Sequence, residues 1–91
     1  MHLSQHAIQR CEQRGVSAAM IDIIVRFGSV EHHQGSEIIR LDKRGVSKAK
    51  QYLGGLYKGS REQLRSCYVV VRDGTVVTVA RQTRHHKRDR H

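Results

Sequence analysis

The sequence predicts an α+β domain in which two N-terminal helices and a short third helix pack on a small antiparallel sheet. Three observations support this prediction: helix caps near the N-terminus, short apolar runs further along the chain, and turn residues between those runs. The chain has 91 residues, enough for one small core. We therefore expect one domain over residues 1–81, ending in a hairpin, and a flexible basic tail over residues 82–91.

Two helices are predicted for the N-terminal third of the chain. Ser4 can cap the first, Gly15 can end it in the left-handed conformation, and Ser17 can cap the second. Residues 18–27 carry apolar side chains on too many sides for a narrow stripe, so we expect the second helix to be mostly buried. Gly28 ends it.

Four strands are predicted beyond the second helix, in two pairs. They cover residues 30–33, 37–42, 67–71 and 75–81. The first pair is joined around Gln34-Gly35. The second pair is joined through Asp73-Gly74, a dipeptide that favours a two-residue hairpin turn.

Residues 43–66 contain an interrupted helical pattern. Gly54-Gly55 divides the apolar positions, which predicts a broken or frayed helix. Ser60 and Gln63 have the spacing of a capping box, so a short helix is expected to begin at Ser60 and run to the end of this segment.

The formal net charge of +9 predicts a polyanionic partner. Residues 1–39 have a net charge of −1, whereas residues 40–65 have +6 and residues 81–91 have +4. The residues expected to contact phosphate are Arg40, Lys43, Arg44, Lys48, Lys50, Lys58, Arg61 and Arg65, with Arg84, His85, Lys87 and Arg88 in the tail. The alternative is an ordinary solvated charged surface.

A second set of polar residues lies on the first helix. His6, Arg10 and Arg14 are four residues apart, which places them along one side of that helix. They flank an apolar stripe, so we expect them at the border of the core, where partial desolvation strengthens the hold of an arginine on an anion. The alternative is that His6 packs at the helix start and the arginines only aid solubility.

This arrangement suits metal-independent RNA cleavage. Attack by the RNA 2′-hydroxyl requires a base, an acid for the leaving oxygen and cations for the developing phosphate charge. His6 is the best candidate for proton transfer, and His85 or Tyr68 is the candidate for the second proton-transfer group. The candidate charge stabilisers are Arg10, Arg14 and Arg81. Alternatively, Tyr68 is a packing residue and His85 belongs only to the tail.

No metal site or cofactor is expected. Adjacent strand residues point to opposite faces, so the histidine pairs at 32–33 and 85–86 can each offer only one ligand to a common centre. Carboxylates at metal-ligand spacing are missing. The sequence also lacks the glycine-rich loops of nucleotide-binding folds and the nucleophile motif of serine hydrolases.

The chain is expected to be cytoplasmic. It has no charged-then-apolar leader and no apolar run of about 18 residues, so neither secretion nor a membrane partner is indicated. Cys11 and Cys67 lie in apolar surroundings without a metal-ligand or Cys-x-x-Cys partner. We therefore expect two reduced core cysteines.

The opening of the chain resembles a motif of small bacterial domains, Ser-x-His-Ala-x-x-Arg-x-x-x-Arg-Gly-[Ile/Val]-Ser. The matching residues are Ser4, His6, Ala7, Arg10, Arg14, Gly15, Val16 and Ser17. The C-terminal part of the same domains is an Asp-Gly hairpin, a strand like [Val/Ile]-Thr-Val and a basic tail. The residues that match it are Asp73, Gly74, Val77, Thr78, Val79 and those from Arg81 to Arg88. Such domains look like distant relatives of the RelE and BrnT toxins.

The resemblance implies a compact α+β fold, with helices against an antiparallel sheet, and RNA cleavage as the activity. It also implies that the helix carrying His6 lies beside the sheet, with Arg81 and Arg84 facing it. The sequence departs from the resembled domains at Ala80, where close relatives carry the histidine of a His-Arg pair. This departure bears on whether the activity is retained.

The leading hypothesis is an RNA-directed protein of toxin type, a metal-independent endoribonuclease, with RNA preferred to DNA. The first alternative is a nucleic-acid-binding module without catalysis that uses the same basic surface. The second alternative is a protein-interaction domain for an acidic partner such as an antitoxin. The sequence leaves the oligomeric state open.

Overall fold

The computed structural model describes residues 2–82 and has the predicted α+β fold. Its elements are β1 (His2–Leu3), α1 (Gln5–Arg14), α2 (Ala18–Phe27), β2 (Ser29–His33), β3 (Ser36–Arg40), α3 (Lys43–Leu53), α4 (Tyr57–Ser66), β4 (Cys67–Arg72) and β5 (Thr75–Arg81). One 3₁₀ turn, Gly54–Leu56, joins α3 to α4. No helix within residues 2–82 is long and apolar enough to cross a membrane.

The five strands form one mixed sheet in the order β1-β5-β4-β3-β2. The β2-β3, β3-β4 and β4-β5 pairs are antiparallel, as predicted. The prediction of a purely antiparallel sheet is wrong, because β1 pairs with β5 in parallel. Two residues are too few to show a strand period, and the Ser4 N–H extends this pairing by donating to the Val76 carbonyl oxygen at 2.9 Å.

The helices cover one face of this sheet. Cys67, Val69 and Val71 alternate along β4 and are at most 5% exposed, whereas Tyr68 and Val70 between them are only half-buried. Successive strand residues point to opposite faces, so the first three residues define the covered face. The helices contribute to this core Ala7, Ile21, Ile23, Ile24, Ala49, Tyr57 and Leu64.

The predicted caps of the first two helices are confirmed. The Ser4 hydroxyl accepts a hydrogen bond from the Ala7 N–H at 3.1 Å, and the Ser17 hydroxyl accepts one from the Met20 N–H at 3.2 Å. Gly15 ends α1 with φ of 66°, in the left-handed region. These local signals fix the short connection between α1 and α2.

Residues 43–66 are helical over the predicted span, but they form two helices of 11 and 10 residues in place of one short third helix, and the second begins earlier than expected. The helical segment breaks at Gly54, as expected, but α4 starts at Tyr57. Ser60 therefore lies inside α4, where its hydroxyl contacts the Leu56 carbonyl oxygen, and the predicted capping box is wrong. Leu56 already has helical backbone angles, so the 3₁₀ turn leads into α4 without a side-chain cap.

Both predicted hairpins are confirmed. Each has a two-residue turn in which both residues have positive φ: 47° and 82° at Gln34 and Gly35, and 50° and 76° at Asp73 and Gly74. This combination is the type I′ pattern that matches the twist of the flanking strands.

Gly28 is expected to be the glycine least tolerant of a side chain. A Cβ there would lie 2.5 Å from the Ile24 carbonyl oxygen and 2.9 Å from the Arg40 carbonyl oxygen. Gly28→Ala should therefore destabilise the fold by about 1–3 kcal/mol. Gly59→Ala, placed in α4 where a Cβ meets open space, should stabilise it by about 0.8–1 kcal/mol. Urea denaturation measures both, and a stabilising Gly28→Ala would contradict the packing described here.

Asp42 should make stability depend on acid pH. Its carboxylate caps α3 by accepting from the Gly45 N–H at 2.7 Å, and it also accepts from the Ser29 hydroxyl at 2.8 Å. These two bonds lower the pKa of Asp42. The stabilisation is therefore complete above the unfolded value of about 3.9 and is lost as the pH falls through the lower folded pKa.

Asn is as good a cap as Asp but does not titrate in this range. Asp42→Asn should therefore reduce the loss of stability below pH of about 4, measured as the urea midpoint at several pH values. An unchanged acid profile in this variant would show that Asp42 contributes nothing to it.

Candidate functional site

The predicted catalytic residues of α1 differ in their depth. Arg14 lies seven residues after the fully buried Ala7, so it projects in nearly the same direction and is half-buried. Its Nε is buried and has no hydrogen-bond partner among the described residues. Arg10 is also half-buried, and His6 is exposed. The three side chains thus run from the solvent towards the core.

Hydrogen bonds hold His6 and Arg10, the two residues of this set nearer to solvent, in fixed positions. The Arg10 Nε donates to the His6 Nε2 at 3.3 Å, and the Arg10 Nη1 donates to the Gln13 Oε1 at 3.3 Å. His6 is the acceptor in the first of these bonds, through the lone pair of Nε2. His6 must release Arg10 before Nε2 can take a proton from a substrate.

Arg81 approaches the inner end of the row from the last strand. It lies directly opposite Cys67 in the β4-β5 pairing, so the two side chains share the covered face. Burial raises the pKa of the Cys67 thiol, while the nearby guanidinium groups of Arg81 and Arg14 act in the opposite direction. Arg14 and Arg81 therefore both lie near the Cys67 thiol. We call His6, Arg10, Arg14 and Arg81 the α1 cluster.

The two cysteines are both free, and Cys67 is buried, as predicted. Burial, followed by the charges of Glu12 and Cys67, also raises the pKa of the Cys11 thiol. A protonated thiol is a weak nucleophile.

A group of five cations surrounds a groove between α3 and α4. The groove has a volume of about 440 Å³. It is lined by Lys43, Val46, Ser47, Lys50, Tyr57, Lys58, Arg61 and Arg65. Five of these eight residues are basic, and none is acidic. The salt bridges within residues 2–82 join Arg26 to Asp22 and Arg40 to Glu31, so no groove cation is neutralised by a described carboxylate. We call this feature the basic groove.

Four of the other predicted phosphate contacts lie beyond the described residues, namely Arg84, His85, Lys87 and Arg88. Arg44 and Lys48 belong to α3 but do not line the groove, because they project from its other side. Arg40 lies on the sheet face that the helices leave uncovered. It pairs with Glu31 at 3.4 Å and stacks 5.6 Å from the centre of the Tyr68 ring. Tyr68 is therefore a packing partner, on the face opposite the α1 cluster.

α4 separates the basic groove from the α1 cluster. The Gln63 side chain donates to the Gly15 carbonyl oxygen at 2.8 Å, which places the end of α1 on one flank of α4. Arg61 and Arg65 are each two residues from Gln63, about 200° around the helix, and they face α3. The sequence hypothesis gave the two sets different roles, catalysis on the first helix and phosphate contact in the basic segment. In the structure they lie on different flanks of α4.

A second cavity, of about 460 Å³, lies between the two hairpin turns and includes His32, His33, Glu37 and Asp73. No group of three potential ligands suited to a metal ion occurs within residues 2–82.

Comparison with protein-family models, with curated proteins and with solved structures gave no match to this chain.

The sequence did not reveal that the basic residues of segment 43–66 line one groove. The sequence analysis identified the cations of the groove but did not place Val46 and Tyr57 between them. The spacing of Lys58, Arg61 and Arg65, at i, i+3 and i+7, is the signal that could have predicted one basic helix flank.

Proposed function

We propose that this chain is a cytoplasmic, RNA-directed protein that holds the RNA phosphate backbone in the basic groove. The observation that carries the proposal is the concentration of five cations, without a carboxylate, around one cavity. RNA is proposed in preference to DNA because the opening motif resembles that of RelE-like and BrnT-like domains.

A polyanion suits this groove better than a small anion. Lys43 and Lys50 on α3 are seven residues apart, as are Lys58 and Arg65 on α4. At 1.5 Å per residue, each wall therefore extends for about 10 Å. Charges spread over this length match a ligand with several phosphates, which also releases several bound counterions on association.

Lys50→Gln is expected to weaken RNA binding, whereas Lys48→Gln is the matched control. Both variants remove one lysine from α3, but only Lys50 lines the groove. Loss of one phosphate contact should lower the affinity about fivefold at 0.1 M salt. Fluorescence anisotropy with labelled RNA at several salt concentrations measures this difference.

If the two lysine variants lose the same affinity for RNA, binding depends only on the net charge of the protein. Absence of RNA binding at low salt would reject the proposal and favour an acidic protein partner, such as an antitoxin.

We propose RNA cleavage of the toxin type at the α1 cluster as a second function. Two observations favour it: the contact between His6 and Arg10, and the pairing that places Arg81 opposite Cys67 on the covered face of the sheet. In this reaction the His6 Nε2 takes the proton of the RNA 2′-hydroxyl, whose oxygen attacks the adjacent phosphorus. The bond to the 5′-oxygen breaks, and that oxygen takes a proton from an acid, here solvent. Arg10, Arg14 and Arg81 stabilise the added phosphate charge.

If the α1 cluster cleaves RNA, the wild-type protein should cut it in the presence of a chelator, and His6→Ala should lower the rate about 10²-fold to 10⁴-fold. Because His6 is exposed and lies outside the core, circular dichroism should show an unchanged fold. RNA binding in the groove should also be unchanged. Intact RNA after incubation with the wild type would reject cleavage and leave the binding proposal standing.

A further inference from the structure

We infer that the basic groove accepts one extended strand of nucleic acid along its length, held by its phosphates without recognition of its bases. This inference rests on the proposed RNA binding and specifies the form of nucleic acid that the groove takes.

The shape of the groove favours a single strand. It forms a channel of about 440 Å³ between two helical walls, each about 10 Å long. A sugar-phosphate chain lying along this channel can contact both walls, whereas a duplex rests on the rim.

The charges lie on both walls of the channel. α3 contributes Lys43 and Lys50, and α4 contributes Lys58, Arg61 and Arg65. A strand between the walls can therefore be contacted from two sides. A duplex resting on the rim presents its phosphates only to the outer edges of the two walls. Arginine adds a planar fork that binds two phosphate oxygens at once.

The floor of the groove explains why bases are not read. Val46 and Tyr57 line it between the cations, but Tyr57 is only 9% exposed. Its ring packs in the core and offers no free face on which a base could stack, and stacking is the usual contact of single-strand binders. The remaining contacts are charges, which respond to phosphate whatever the base.

The test compares a single-stranded RNA of about 12 nucleotides, within the usual site sizes of such binders, with a duplex of the same length. The single strand should bind at least about tenfold more tightly at 0.1 M salt, because its backbone can enter the channel and reach several of the five cations. Homopolymers of different bases should bind with similar affinity. The logarithm of the affinity should fall with the logarithm of salt concentration with a slope of about −3.5 if all five cations contact phosphate.

Two substitutions assign this binding to the groove. Arg61→Gln should reduce the slope by about 0.7, the contribution of one contact to a single strand, and Arg61→Lys should restore most of it. Arg44→Gln removes one charge from the other side of α3 and should leave the slope unchanged.

Four outcomes would overturn the inference. Equal binding of duplex and single strand would reject the channel while leaving RNA binding in place. A slope that Arg61→Gln does not change would place the RNA elsewhere on the protein. Tighter binding of an extended poly-glutamate peptide than of an RNA of equal charge would identify a protein partner. Failure to bind either RNA at low salt would reject the proposed function itself.

Discussion

The burial of alternate residues on β4 is the constraint on which the rest of this structure depends. Cys67, Val69 and Val71 all enter the core, so every helix that packs on them must lie on the same side of the sheet. Helices in a single layer have flanks that face one another, and polar residues on those flanks become the walls of grooves. The cations of the basic groove are therefore found between helices.

α4 shows how one helix can serve two polar regions. Tyr57 and Leu64 are seven residues apart and anchor it in the core. One flank is then directed at α3 and carries three cations of the basic groove, while the other reaches α1 through Gln63. The 3₁₀ turn before it brings α3 back alongside α4. The basic groove and the α1 cluster thereby lie on opposite sides of the same element, so the proposed binding and the proposed cleavage can be tested separately.

The parts of the fold that depend on neighbouring residues could be predicted from the sequence, and the parts that depend on distant contacts could not. The caps at Ser4 and Ser17 and the two hairpin turns are local, and they were predicted at their observed positions. Ser60 was misplaced because the helix already runs through it from the 3₁₀ turn. The sequence also could not separate Lys48 from Lys50, because their directions depend on the buried position of Ala49 between them. Tertiary packing sets that position.

The parallel pairing of β1 with β5 has a consequence for the order in which the domain assembles. The Ser4 hydroxyl contacts the Val77 carbonyl oxygen across 73 residues of sequence, and contacts this distant require a long loop to close before they contribute stability. During synthesis the first helix leaves the ribosome early, but β5 leaves it after every other strand of the described sheet. Arg14 and Arg81 can therefore come together near Cys67 only after β5 has been translated.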